Sequence, residues 1–264
     1  MKKRKAGIVI FVIVLIITAV RIKSMDSHRI SGRILAENIA GPGMLRLVEQ
    51  SMQARARKTS VTEIAVKERK HPQAALTFDD GPDIRYTPLL LDGLKERNVR
   101  VSFFLLGEKV EQYPELVERM QKEGHLVGNH TYHHVQLNKL NETKAREEIL
   151  KTNNLIYETT GVYPLYLRPP FGAWKKNLEL CVEMLPVFWT IDTLDWKVQN
   201  TEKIVRTVQE QIEDGAIILM HDEYDTSVEA ALQVVDELKN QEYELVTVDQ
   251  LILPYSRDKT AVWF

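Results

Sequence analysis

His130 and His134 stand four residues apart in "HTYHH", and Asp79 and Asp80 are adjacent in "TFDDGPD". If the histidine segment forms a helix or helical turn, i, i+4 spacing sets both imidazoles on one side, as a shared metal ion requires. Two neutral imidazoles and one carboxylate, with a position left open for water, make a hydrolytic zinc site. Asp79 or Asp80 could supply the carboxylate, and His133, between the two ligands, should point elsewhere. An acidic loop of the calcium type would account for "TFDDGPD" alone but would leave the histidines unexplained.

These residues need elements that bring them together. From His71 onward, short apolar runs alternate with helical patterns. "AALTF", "RVSFFLLG", "HLVGNH", "LYLRPP", "PVFWTID", "AIILMHD" and "ELVTV" read as strands, mostly buried on both faces. Between them, "YTPLLLDGLKERN", "YPELVERMQKEG", "KLNETKAREEILKTNNLIYETTG", "NTEKIVRTVQEQIEDG" and "SVEAALQVVDELKNQ" carry apolar residues at helical spacing, and several end in Gly or Asn. Such alternation predicts an α/β fold, a distorted or incomplete (β/α) barrel of about seven parallel strands. In such barrels the site forms at the C-terminal strand ends. That is where Asp79, Asp80, His130, Arg168, Asp192, Asp195 and His221 fall, so four of the seven histidines, counting His133 and His134, gather at one rim.

In this order, "TFDDGPD", "HTYHH", "RPPFG", "DTLDW" and "LMHD" resemble the five motifs of the polysaccharide deacetylase family, the NodB-homology domain of carbohydrate esterase family 4. The resemblance covers about residues 71–253. It implies Asp79 as general base and Asp80, His130 and His134 as ligands of one divalent ion, Zn2+ first, with Co2+, Mn2+ or Ni2+ able to use the same ligands. By the same resemblance Arg168 orients Asp79, Asp195 pairs with the catalytic acid His221, and the backbone N–H of Phe171 donates to an oxyanion. Trp196 would wall the sugar groove and Leu219 would line the pocket for the acetyl methyl. The one visible variation is Phe171, where tyrosine is common. The implied reaction is hydrolysis of an N-acetyl group to acetate and an amine.

Location is written in the first 23 residues. "MKKRK" precedes the unbroken apolar run Ala6 to Val20, which as a helix would span roughly 22 Å against a hydrocarbon core of ~30 Å. No A-x-A-like cleavage site follows, so residues 1–23 read as an uncleaved signal anchor with the remainder outside the cytoplasm; cleavage would make the protein secreted. Residues 24–70 read as a basic stalk and 71–264 as the catalytic domain. Residues 1–70 hold 15 Lys/Arg against 5 Asp/Glu, whereas the rest holds 20 against 32. No basic patch with interleaved aromatics occurs in the acidic part, which argues against nucleic acid as a partner. Cys181 is the only cysteine, which excludes an intrachain disulfide, a cysteine-cluster metal site and a lipid anchor following the apolar run.

An outward-facing anchored hydrolase makes peptidoglycan N-acetylglucosamine the expected substrate. Chitin-type oligomers, N-acetylmuramic acid and acetylated xylan are the neighbouring possibilities, and no protein partner is expected. A catalytically silent carbohydrate-binding domain is the alternative of a different class, though binding alone would need neither Asp79 nor His221.

Overall fold

In the computed structural model, residues 70–174 and 184–252 are described. The anchor expected at 1–23, all of the stalk expected at 24–70 except Lys70, and Cys181 lie outside the described residues. Among the described residues no helix is long and apolar enough to cross a membrane.

Among the described residues eight strands pair, all in parallel: β1 (Gln73–Asp79), β2 (Ser102–Leu105), β3 (Leu126–Asn129), β4 (Tyr166–Leu167), β5 (Leu185–Pro186), β6 (Ile191–Asp192), β7 (Ala216–His221) and β8 (Glu244–Leu245). Their order is β5-β4-β3-β2-β1-β7-β6, and β8 pairs with the first residues of β1. The edge strands β5 and β6 are joined only by Val187–Thr190. Laid flat, six gaps of about 4.8 Å would part those edges by roughly 29 Å. Five Cα steps reach at most about 19 Å. The sheet therefore curls into an incomplete barrel, as expected. "PVFWTID", which reads as one strand, is instead two short strands on opposite edges, and the turn between them is the seam.

Helices α1 (Tyr86–Glu96), α2 (Gly107–Gln112), α3 (Pro114–Lys122), α4 (Glu142–Thr160), α5 (Asp195–Val198), α6 (Thr201–Gln211), α7 (Asp225–Asn240) and α8 (Val248–Ile252) complete the described unit. Strand parity divides the side chains. Ala74, Leu76 and Phe78 of β1, Phe103 and Leu105 of β2, and Ala216, Ile218 and Met220 of β7 join the main core with Leu90, Leu94, Val205, Val234 and Val235 of the helices. The alternate positions Ala75 and Phe104 belong to a smaller cluster with Tyr166, Val187 and Val248 on the other face. Thr77 and Asp79 share the parity of Ala75, and Leu219 and His221 share that of Ile217. In β1 and β7 one face is thus spent on the helical core, and the other carries Asp79 and His221 to the rim.

Candidate active site

Parallel register aligns Asp79 with His221 across β1 and β7, and both lie at the C-terminal strand ends. Asp79 is buried, and its Oδ1 accepts a hydrogen bond from Arg168 Nη1 at 2.7 Å. Arg168 has no exposed surface and follows β4. The same Nη1 donates to Thr77 Oγ1 (2.7 Å), whose hydroxyl donates to the Ile218 carbonyl (2.6 Å). The guanidinium lies over the Phe104 ring, 4.2 Å from its centroid. A buried cation is tolerated here because a carboxylate and a π-face both meet it. Burial lowers the Arg168 pKa and Asp79 opposes that shift.

Alternation would send Asp80 toward the helical core. Its φ of 68° takes it out of the strand instead, into the left-handed region that non-glycine residues seldom adopt. Oδ1 consequently lies 3.4 Å from Nε2 of both His130 and His134. That oxygen is buried without a hydrogen-bond partner. Ligand atoms about 2.0–2.2 Å from a tetrahedral centre are roughly 3.3–3.6 Å apart, so the donor set, two imidazoles and one orphaned carboxylate oxygen, fits a divalent ion such as Zn2+. Burial raises the Asp80 pKa, but the surrounding His130, His134 and His221 outweigh it and hold the carboxyl well below the usual range. The three ligand atoms all lie within 4.8 Å of one another.

"HTYHH" achieves this without the helical turn its spacing suggests. The segment is a bend, with Thr131 at φ 66° and His134 at φ 54°. Two left-handed residues fold the chain back, which brings the imidazole centroids to 5.0 Å. His130 Nδ1–H donates to the Arg168 carbonyl at 2.6 Å, leaving Nε2 as the free lone pair. Burial lowers the His134 pKa, with a smaller contribution from His130, which also favours a neutral ligand. His133 turns away to Glu148, 2.7 Å from Nδ1.

Asp195 opens α5 and is fully buried. Its carboxylate accepts the His221 backbone N–H and the Nδ1–H, each at 2.8 Å. This two-point contact fixes the ring and directs Nε2 toward Asp80, 3.8 Å from Oδ2. Burial lowers the His221 pKa, but the Asp195 hydrogen bond and charge override it and lift the value to about 9. Phe171, at φ 58°, packs its exposed ring 4.5 Å from that of His134.

A cleft of about 490 Å³ gathers Asp79, Asp80, His130, His134, Phe171, Trp196, Leu219 and His221, all marked by the sequence. Its walls also include Trp189, Leu194, Glu223 and Tyr224, which sequence reasoning did not place there. The signal for Trp189 was its position between β5 and β6, visible only once "PVFWTID" is divided. Trp174, in contrast, packs on the Leu137, Ala145 and Ile149 cluster. Thr77 and Asp222 were given no role either, although they are the first residue of "TFDDGPD" and the last of "LMHD".

Asp222 follows His221 and is wholly buried; burial raises its carboxyl to about 7, against opposing influences from Thr87 and Lys109. A raised carboxyl pKa means the folded chain holds a proton that the unfolded chain releases above its ordinary 3.8. Its contribution to stability is therefore greatest below pH ~4 and declines as pH rises to ~7, by on the order of 4 kcal/mol in total. Urea unfolding of the metal-free chain across this window should show that slope in wild type relative to Asp222→Asn. Parallel profiles would refute the shift.

A family model described as polysaccharide deacetylase matches residues 66–187. The peptidoglycan-N-acetylglucosamine deacetylase PgdA of Listeria monocytogenes is 41% identical over 185 residues, covering 70% of this chain and 40% of that protein. The chain thus spans under half of that relative. A peptidoglycan-N-acetylglucosamine deacetylase of Bacillus cereus is 39% identical over 186 residues, which is 68% of each chain. The solved structure of the peptidoglycan deacetylase PdaC from Bacillus subtilis superposes with a TM-score of 0.67 at 41% identity, over 69% of this chain and 91% of that one. With the likeness extending over most of the Bacillus cereus protein and over the curled parallel sheet, the chain belongs to the polysaccharide deacetylase family.

Proposed function

We propose that this chain hydrolyses the N-acetyl group of N-acetylglucosamine residues in an extracytoplasmic polysaccharide, with peptidoglycan as the substrate. The observation that carries the reading is the facing pair Asp79 and His221, with the Asp80, His130 and His134 donor set beside them in one cleft. A binding module has no need of an acid and a base held beside a metal-ligand cluster.

Asp80, His130 and His134 would hold the divalent ion, which when bound would supply Lewis-acid polarisation of the acetyl carbonyl and lower the pKa of a bound water. Asp79, clamped by Arg168, accepts a proton from the attacking water. The Phe171 N–H donates to the developing oxyanion. His221 carries its proton on Nε2 at neutral pH and delivers it to the departing nitrogen, because an amine leaves poorly without one. Trp196, half-exposed on the cleft wall, offers a face for a sugar ring, and the buried Leu219 bounds the space for the methyl group.

The proposed layout retains an anchor at 1–23, a stalk at 24–70 and the catalytic domain from 71. It places the site outside the membrane, where the polymer is. The test is acetate release by the full chain, with Zn2+ added or chelated, on peptidoglycan and chitooligosaccharides in parallel. Chelator-sensitive release from peptidoglycan is expected, and no release from any glycan would overturn the proposal in favour of a silent binding domain. Asp195→Asn should lower kcat by roughly 10²–10³, within the range of a lost general acid, with Zn2+ affinity unchanged. A normal kcat would remove Asp195 from the assignment.

A further inference from the structure

The left-handed backbone at Asp80 needs something to hold it, since the conformation is unfavourable for any residue with a Cβ. Asp222 is placed to do so. It leaves β7 immediately after His221, has no exposed surface, and takes no part in the proton transfers above. One carboxylate oxygen, Oδ2, accepts from the Thr87 hydroxyl. Thr87 Oγ1 in turn accepts the Asp83 backbone N–H at 2.7 Å, and the Thr87 N–H returns to the Asp83 carbonyl at 3.1 Å. The other oxygen, Oδ1, is buried without a hydrogen-bond partner and lies against Gly81, where a Cβ would stand only 2.5 Å from it. Gly81 is the residue after Asp80, and its carbonyl accepts the Leu106 N–H at 3.2 Å. The loop behind Asp80 is therefore trapped between Leu106 and the Asp222 carboxyl and tied at Asp83.

We propose that Asp222 is a positioning residue for metal binding: wedged against Gly81 and linked through Thr87 to the Asp83 backbone, it holds Asp80 in the conformation that aims Oδ1 at His130 and His134. This rests on the metal-site reading above and extends it to a residue that contacts none of the reacting atoms. A side chain acting this way affects ligand geometry before any substrate is bound. Glycine is required at 81 for the same reason, because any larger residue would displace the wedge.

The experiment is Zn2+ titration of the metal-free, 264-residue chain in detergent, by calorimetry and chelator competition, beside urea unfolding of the same samples. Asp222→Ala empties the wedge and should weaken Zn2+ binding roughly ten- to hundredfold, the range seen when the support of a ligand is lost. Asp222→Asn keeps the shape and the Thr87 acceptor, and should bind within about threefold of wild type. Should Asp222→Ala fail to fold, Thr87→Val, which removes the tether and little volume, should still lower affinity about tenfold. Wild-type affinity in a folded Asp222→Ala or in Thr87→Val overturns the inference, because a packing role would alter only the unfolding midpoint. Asp80→Ala serves as the reference. If it binds Zn2+ as tightly as wild type, the metal-site reading itself falls; if it alone loses binding, only the role of Asp222 is refuted.

Discussion

Asp80→Ala is expected to lose high-affinity Zn2+ binding and, with it, about 10³–10⁵ of the acetate-release rate, since a catalytic metal supplies several kcal/mol at 1.36 kcal/mol per tenfold. The large effect follows from the solitary position of one atom. Asp80 Oδ1 is buried, lacks a hydrogen-bond partner and is equidistant from the two imidazole nitrogens at 3.4 Å. Deleting it leaves two histidines without their anionic co-ligand. His133→Ala is the matched control from the same motif. That side chain is largely exposed and engaged with Glu148, so its removal should leave Zn2+ affinity within about threefold. Equilibrium dialysis with metal analysis, followed by acetate assay, separates the two variants. Stoichiometric Zn2+ in Asp80→Ala, or its loss in His133→Ala, would show that the donor set has been misassigned.

Asp79→Asn should do the reverse, retaining metal while activity falls by about 10²–10⁴, the usual contribution of a positioned general base. The amide keeps the shape of the carboxylate and can accept the Arg168 hydrogen bond, but cannot take a proton from water. A second consequence distinguishes this residue from an ordinary base. Arg168 is wholly buried, and Asp79 is the carboxylate it pairs with. Removing the charge leaves the guanidinium with Thr77 and the Phe104 face, and the loss of a buried partner costs about 3–5 kcal/mol. Single-turnover assays at saturating Zn2+ and urea unfolding should therefore both change. Near-normal turnover would dismiss Asp79 as the base, and unaltered stability would show that the Arg168 charge is balanced elsewhere.

Local pattern made much of this legible. Apolar runs alternating with helical spacing identify the strands that were found, because buried parallel strands can be written in few other ways. Parity explains Asp79: it shares a face with Thr77 and Ala75, opposite the helical core. Motif order marked every residue that the cleft collects from the predicted set. The third acidic residue of "TFDDGPD" also has a local task, since Asp83 Oδ1 accepts the N–H groups of Arg85 and Tyr86 at the start of α1 (2.8 and 2.9 Å).

Other features depended on contacts between distant segments. Periodicity predicted a helical turn for "HTYHH". The observed bend is held by Leu105 and Gly107, whose backbone groups bond His130 N–H and the Thr131 carbonyl, and by Glu148 of α4, which accepts from His133 N–H. None of those partners is near in sequence. The division of "PVFWTID" likewise arises from curling, as the two halves pair with β4 and β7 on opposite edges. Which residues could do chemistry, and which end of the strands would carry them, was readable along the chain, because side-chain type and alternation are local properties. It takes the folded chain to turn adjacent Asp79 and Asp80 to different neighbours. Arg168, just after β4, meets the first, while a left-handed backbone at Asp80 turns the second to the histidines.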